Sequence, residues 1–335
     1  MYPLVSVLIP CYNAQKWLET AIHSALGQSW PKVEIIIVDD GSTDASLEIA
    51  RSFSCDQVNV ISQENRGASS ARNTALKAAQ GDFIQYLDAD DFLAPHKIRD
   101  QIQILDQSPP QVLAICGTMH FFDGEDPSRG IFHDGMPFYQ DSDDPLDWLI
   151  TLMGGDGEGG MVQPAAWLVP RCVIDQAGPW NEQLALDDDG EYFARVILAS
   201  AGIRRSPSAL TYYRKFRSLQ SLSGHQTPQN LRSGLDALNL RAEYILSRTQ
   251  SNRAIRAITR NYMILAVAAY PFCPAVTEAA LDRVQELGGS DYFPPLGGAR
   301  IQRLQQLVGW KLARRLSVAL HQLHLRRMRK SWATA

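Results

Sequence analysis

Residues 33–44 read Val-Glu-Ile-Ile-Ile-Val-Asp-Asp-Gly-Ser-Thr-Asp. The run from Val33 to Val38, rich in β-branched side chains, has the pattern of a buried strand, and acidic and turn-forming residues follow it at once. The same pattern recurs on either side. Upstream, residues 4–9 form a short apolar run closed by Pro10-Cys11-Tyr12-Asn13, and Trp17, Leu18, Ala21, Ile22, Ala25 and Leu26 then recur at helical spacing. Downstream come a helix from about residue 45, a strand at 58–61 and an alanine-rich helix at 68–79 stopped by Gly81. A fourth strand at 83–87 ends at Asp88-Ala89-Asp90-Asp91. The order β-α-β-α-β-α-β predicts an α/β fold, a mostly parallel sheet flanked by helices on both faces.

The rest of the chain is less regular. A strand is expected at 112–116, an acidic Gly/Pro-rich loop region at 123–144, a short helix at 145–153 and a glycine-dense loop at 154–160. A strand at 165–169 and a helix at 191–201 follow. Beyond about residue 231 the sequence turns helical and basic, with breaks near 271–274 and 293–298. The expected division is an α/β domain over 1–228, in halves 1–110 and 111–228, with a helical C-terminal extension over 229–335.

At 335 residues, 45% hydrophobic and 20% charged, the composition is that of a globular chain and excludes a disordered one. Five scattered cysteines give neither a zinc knuckle nor a disulfide framework, which fits a reduced compartment. No signal peptide is expected at Met1-Tyr2-Pro3, and the longest apolar stretch, 262–276, is too short for a membrane span. The net charge of −4 conceals an asymmetry. Residues 1–230 hold 16 basic and 30 acidic side chains, and residues 231–335 hold 16 and 6. From Arg300 on there are 9 basic residues and no acidic one.

In an open α/β sheet, ligands bind at the carboxyl ends of the parallel strands. Those ends carry residues 10–13, 39–44 and 88–91. Asp88 and Asp90, spaced i, i+2 just past a strand, suit a hard divalent ion that also takes phosphate oxygens; the alternative is a polar turn capping the next helix.

Read together, residues 5–13 (VSVLIPCYN), 38–44 (VDDGSTD), 65–73 (NRGASSARN) and 87–91 (LDADD) closely resemble the nucleotide-binding half of glycosyltransferase family 2. The resemblance implies a GT-A-type, Rossmann-like fold and the transfer, with inversion, of one sugar from a nucleoside-diphosphate sugar. It places Pro10, Tyr12, Asn13, Asp39, Asn65, Gly67, Arg72, Asp88 and Arg214 around the donor. Tyr12 would stack on the base, Asp39 would accept the imide N–H of a uracil, and Arg72 would donate to base or phosphate. Asp88 is expected near ribose and metal, and Asp90 as a ligand of Mg²⁺ or Mn²⁺. Arg214 would reach the diphosphate, and His225 would complete the metal shell.

An inverting transfer also needs a carboxylate to take the acceptor's proton. Aligning Tyr192-Phe193-Ala194-Arg195 with the family's helix puts the acidic pair at Asp188 and Asp189, with Asp189 as base. The family's usual Glu is Asp188 here, and Asp187 adds a third carboxylate, so the register among the three stays open. The bland alternative is an acidic helix N-terminus, which the helix dipole favours by itself.

The acceptor expected from this resemblance is a saccharide or lipid-linked glycan, in cell-surface polysaccharide or glycolipid synthesis. The Gln-x-x-Arg-Trp motif of processive synthases is absent, which favours single transfers. Two rival readings are a sugar-phosphate nucleotidyltransferase, whose glycine-rich phosphate loop is missing, and a non-catalytic nucleotide-sugar-binding scaffold. The basic end is either a terminal helix packed on the acidic body or an amphipathic surface for an anionic membrane. The expected location is cytoplasmic, with peripheral contact at the inner face of the membrane. Nucleic acid is not an expected partner, because no aromatic-basic interleaving accompanies the charge.

Overall fold

The β-branched runs become the middle of a sheet. The computed structural model describes residues 2–216 and 227–320. The strands are β1 (Val5–Cys11), β2 (Val33–Asp40), β3 (Val58–Gln63), β4 (Phe83–Tyr86), β5 (Phe92–Leu93), β6 (Val112–Phe122), β7 (Ile131–His133), β8 (Trp167–Pro170) and β9 (Gly202–Lys215). The first helices are α1 (Leu18–Leu26), α2 (Ser46–Ser52), α3 (Ala68–Ala78), α4 (Lys97–Leu105), α5 (Pro145–Leu152), α6 (Arg171–Ala177) and α7 (Asp188–Ala199). The later ones are α8 (Pro228–Leu246), α9 (Asn252–Ala269), α10 (Pro274–Glu286) and α11 (Ala299–Val308), and residues 310–320 are also helical.

Among the described residues, nine strands form one sheet in the order β3-β2-β1-β4-β8-β6-β9-β5, with β7 paired to β6. β3, β2, β1 and β4 run parallel, with Cys11 opposite Asp39 and Asp39 opposite Ser62. Their carboxyl ends therefore fall on one edge. Beyond β4 the sheet is mixed: β8 is antiparallel to β4 and β6, β9 is parallel to β6, and β5 is antiparallel to β9.

Alternation sorts the side chains to two cores. Val5, Val7, Ile9, Ile35 and Ile37 pack with Leu18, Ile22 and Ile98 on one face. Leu8, Ile36 and Val38 face Ala71 and Ala75 on the other, in a cluster that continues through Trp167 and Phe193. Burying these residues on both sides is what makes the parallel arrangement stable, at about 1.5–3 kcal/mol for each large apolar side chain.

Two elements differ from expectation. β2 runs two residues past Val38, so Asp39 and Asp40 are still in the strand. β9, 14 residues long, is not foreshadowed by the sequence, because Arg204-Arg205-Ser206-Pro207-Ser208 breaks any alternation. Pairing with β6 holds it, with a register shift between Cys116 and Gly117.

The C-terminal helices are not separate from the body. Leu238, Ala242 and Ile245 of α8 and Ala254, Ile258 and Tyr262 of α9 share the core of Trp167 and Phe193. The glycine-dense loop is tied to α9, where Arg253 Nε donates to Asp156 at 2.5 Å and Asn261 Nδ2 to the Met153 carbonyl at 2.8 Å. Helix 310–320 seats Ala313 against Val267 and Leu296, and Arg314 Nε donates to the Val267 carbonyl at 3.1 Å. Its other face leaves Leu312, Leu316 and Leu320 exposed. Among the described residues, no helix is long and apolar enough to cross a membrane.

Candidate functional site

The loops leaving β1, β2 and β3 build a rim from residues close in sequence. Tyr12, just past β1, is 52% exposed. Pro10 precedes it in β1, half-buried. Asn13 has a φ of 50° and staples the first two loops: its backbone N–H donates to Ser42 Oγ at 3.0 Å, and its Oδ1 accepts from the Thr43 N–H at 2.8 Å. A short amide side chain tolerates that left-handed backbone better than most. Asp40 Oδ2 accepts from the Gly67 N–H at 2.8 Å and its Oδ1 from the Arg66 N–H at 3.0 Å. This fixes the exposed Asn65 and the start of α3. Gly41, at φ +73°, is required because a Cβ there would come within 2.8 Å of the Asn65 nitrogen.

Asp39 is 1% exposed and asymmetric. Its Oδ2 accepts from the Ser42 N–H at 3.2 Å, while Oδ1 is shielded from solvent with no hydrogen-bond partner among the described residues. A buried carboxylate oxygen without a donor is costly, and one N–H from a ligand would relieve that cost.

The second group joins parts far apart in the chain. Arg72 lies on α3. Its Nη2 donates to Asp88 Oδ1 at 2.9 Å and its Nη1 to Asp188 Oδ2 at 3.0 Å, and its guanidinium lies 4.5 Å over the Trp180 ring. The two carboxylates raise the affinity of Arg72 for its proton despite burial. Ser69 Oγ donates to Asp188 at 2.8 Å. Trp180 in turn stacks on Tyr192 at 4.0 Å, and the hydroxyls of Tyr192 and Tyr86 are 2.8 Å apart. The guanidinium is thus held between an aromatic shelf and two aspartates.

Asp189 lies in the first turn of α7 beside this bridge. Its Oδ1 accepts from the Gly190 N–H at 2.8 Å. Burial, then the charges of Asp188 and Asp187, push its carboxyl up to about 7. Asp187, at φ 61°, pairs with Arg241. On the strand side, Asp90 is pushed up to about 6 by burial and by Asp88. Arg214 Nε donates to the Asp90 carbonyl at 2.8 Å and its Nη1 to Asp123 at 3.0 Å, and Asp123 also accepts from Trp17 Nε1 at 3.0 Å. This lock brings the ends of β6 and β9 to the first loop of the rim.

Of the residues singled out in the sequence, Pro10, Tyr12, Asn13, Asp39, Asn65 and Gly67 lie along the rim formed by the β1, β2 and β3 loops. Asp88, Arg72, Asp188 and Asp189 meet at the junction. Arg72 is spent on carboxylates, so a direct bond to base or phosphate is not what this geometry displays. His225 lies outside the described residues. Sequence reasoning missed Asp40, Ser69, Trp180 and Asp123 as partners; a run of three aspartates gives no signal of a cation shared across 116 positions. Among the described residues, no group of three or more His, Cys, Asp or Glu could by itself hold a metal ion. Asp88 and Asp90 are instead an incomplete set, crowded enough for one to resist ionisation. That fits an ion completed by phosphate oxygens and water.

Residues 6–161 match the family model described as Glycosyl transferase family 2. An uncharacterized glycosyltransferase of Rickettsia prowazekii is 40% identical over 201 residues, 59% of this chain and 60% of that protein. Among solved structures, S. aureus TarS 1-349 in complex with UDP aligns with a TM-score of 0.61 at 17% identity, over 85% of this chain and 88% of that one. The mannosyltransferase PcManGT from Pyrobaculum calidifontis, in complex with GDP-Man and Mn²⁺, aligns with a TM-score of 0.53 at 17% identity, over 100% of this chain and 89% of that one. The chain spans between 31% and 60% of the length of the first curated relatives it matches. The chain shares the GT-A-type fold of these two structures, and its residues 6–161 are similar to glycosyltransferase family 2.

Proposed function

We propose that this protein is a metal-dependent inverting glycosyltransferase that moves a single sugar from a nucleoside-diphosphate sugar to a saccharide or lipid-linked glycan. The observation that carries the reading is the Arg72 bridge, which sets the Asp88 end of the sheet beside the Asp188–Asp189 end of α7. Donor and base can then serve one reaction. Complexes of TarS with UDP and UDP-GlcNAc support a nucleotide sugar at the rim. The orphaned Asp39 Oδ1 supports a base with an imide N–H, hence a UDP-sugar.

In this reading the exposed Tyr12 ring stacks on the base and Asn13, Asn65 and Gly67 shape its pocket. Asp88 and Asp90 would hold Mg²⁺ or Mn²⁺, with His225 as a further ligand; PcManGT is a neighbour bound to Mn²⁺. When bound, the ion neutralises charge on the departing diphosphate. Arg214, anchored beside Asp90, faces the same leaving group. Asp189 takes the proton of the acceptor hydroxyl as that oxygen bonds to the anomeric carbon and the diphosphate leaves with the other bond pair. Its raised affinity for a proton suits a base working near neutrality. Asp188, already committed to Ser69 and Arg72, positions rather than reacts. Residues 1–228 form the catalytic body, and the extension over 229–335 braces α7.

The proposal extends to location, cytoplasmic and peripheral to a membrane. Leu312, Leu316 and Leu320 project from a helix that also exposes Lys311 and Arg315, and no acidic residue lies between 299 and 320. Apolar insertion combined with anionic headgroups fits such a face. The test of the activity is release of nucleoside diphosphate from a panel of UDP- and GDP-sugars with Mn²⁺ and saccharide acceptors. Release with none of them overturns it. Truncation after Gly298 should lower sedimentation with anionic liposomes, and an unchanged fraction overturns the membrane contact.

A further inference from the structure

We propose that Arg241, on α8, is a positioning residue for the reaction: by holding Asp187 it leaves Asp189, of three consecutive aspartates, as the one free to act as base. The inference rests on the transferase reading above. It concerns α7 and α8, both of which lie beyond the residues 6–161 that match the family.

Three neighbouring carboxylates meet three different surroundings. Asp188 goes to Arg72 and Ser69 on α3, and Asp187 pairs with Arg241 on α8. Among the described residues Asp189 has no ion pair, and its carboxylate accepts from the Gly190 N–H at 2.8 Å. A carboxylate locked to a guanidinium is a poor proton acceptor, because the pair favours its charged form. Two arginines from two helices thus sort the run.

The geometry shows how α8 takes its share. Asp187 has a φ of 61°, a left-handed conformation that a residue with a Cβ adopts seldom and at a cost. The approach to it is fixed by Ser233 Oγ, which accepts from the N–H groups of Ala185 at 2.8 Å and Leu186 at 3.0 Å. Four residues after Asp187, the buried Glu191 accepts from the Tyr244 hydroxyl at 2.7 Å. Ser233, Arg241 and Tyr244 fall within about 80° of each other around α8, so one face of that helix grips the chain on both sides of Asp189. Asp189, two residues before Glu191, stands about 200° around α7 from it, on the side away from α8. The grip is close: a Cβ on Gly190 would run into Asp187 Oδ1 and come within 3.1 Å of Arg241 Nη1.

The experiment uses the full chain, Mn²⁺, UDP- and GDP-sugars, and p-nitrophenyl β-hexopyranosides as acceptor probes, with release of nucleoside diphosphate as the rate. Arg241→Ala should lower kcat about 10–100-fold, with UDP affinity by calorimetry within about twofold of the unaltered chain. Asp187→Gly takes the left-handed backbone without help, so in that background Arg241→Ala should change kcat by less than about twofold. Gly190→Ala favours the helix yet parts the pair, and should lower kcat about tenfold in a chain that still unfolds cooperatively. An unchanged kcat in Arg241→Ala overturns the proposal, as does its full effect recurring in the Asp187→Gly background. Should Arg241→Ala fail to fold, an unchanged kcat in Gly190→Ala overturns it in the same way. Loss of all turnover in Asp187→Gly makes Asp187 the base and overturns it too. An unaltered chain that turns over no nucleotide sugar, with water or with a glycoside, overturns the transferase reading instead.

Discussion

The rim around β1–β3 and the junction between β4 and α7 are built from the same residue types and held in opposite ways. At the rim, Asn13, Asp39 and Asp40 accept from or donate to neutral backbone and hydroxyl groups 3 to 30 positions away. At the junction, one buried cation serves two carboxylates 16 and 116 positions away. A hydrogen bond of this kind is worth about 0.5–1.5 kcal/mol between neutral groups and about 1.5–3 kcal/mol to a carboxylate, and its loss is local. A shared buried cation is different, because removing it leaves uncompensated charges facing each other. Robustness at the rim and mutual dependence at the junction suit a binding platform and a reacting centre, respectively.

The sharpest way to break the comparison is to change charge without changing shape. Asp189→Asn should lower kcat by about 10²–10⁴ while donor affinity stays the same; retained turnover would move the base elsewhere. Asp90→Ala, like chelation of the metal with EDTA, should abolish Mn²⁺-dependent donor binding in calorimetry, and unchanged affinity removes the metal role from this residue. Next in size, Arg72→Ala should destabilise the fold by about 3 kcal/mol or more in urea unfolding, since Asp88 and Asp188 then face each other unpaired. A loss no larger than at the rim would contradict the distinction drawn here.

Two smaller effects sharpen it. Asp189 holds its proton up to about 7, so the form able to accept a proton appears only above that value. The pH profile of kcat/KM should therefore rise through about 7 and level off above, and a fall through the same window would make Asp189 an acid rather than a base. Asn13→Ala should cost about 1 kcal/mol of stability and weaken donor binding modestly, because one staple of several is removed.

Much of the rim is legible in the sequence because local order governs it. An apolar run bounded by turn formers predicts a strand, and parallel strands must share an edge, so residues 10–13, 39–44 and 65–67 have to converge. The junction is legible only in its parts. Asp88 and Asp189 stand out in separate segments, but nothing in either segment shows that Arg72 spans from Asp88 to α7, since a cation on a helix has many partners within reach. β9 is hidden for a related reason: its sequence is polar and interrupted, and its pairing with β6 supplies the stability that its own residues do not. The basic end is ambiguous as sequence, and the structure resolves part of it by seating Ala313 on α9 with the leucines left outside.

By itself the sequence determined the α/β order, the sheet edge that carries the aspartates and the identity of the rim, because these follow from side-chain period and chain direction. Only the tertiary structure decided that Arg72 joins Asp88 to Asp188 and that Asp189 sits buried enough beside this bridge to keep its proton to neutrality. Those are properties of distance and burial, which depend on how segments more than a hundred residues apart are pressed together.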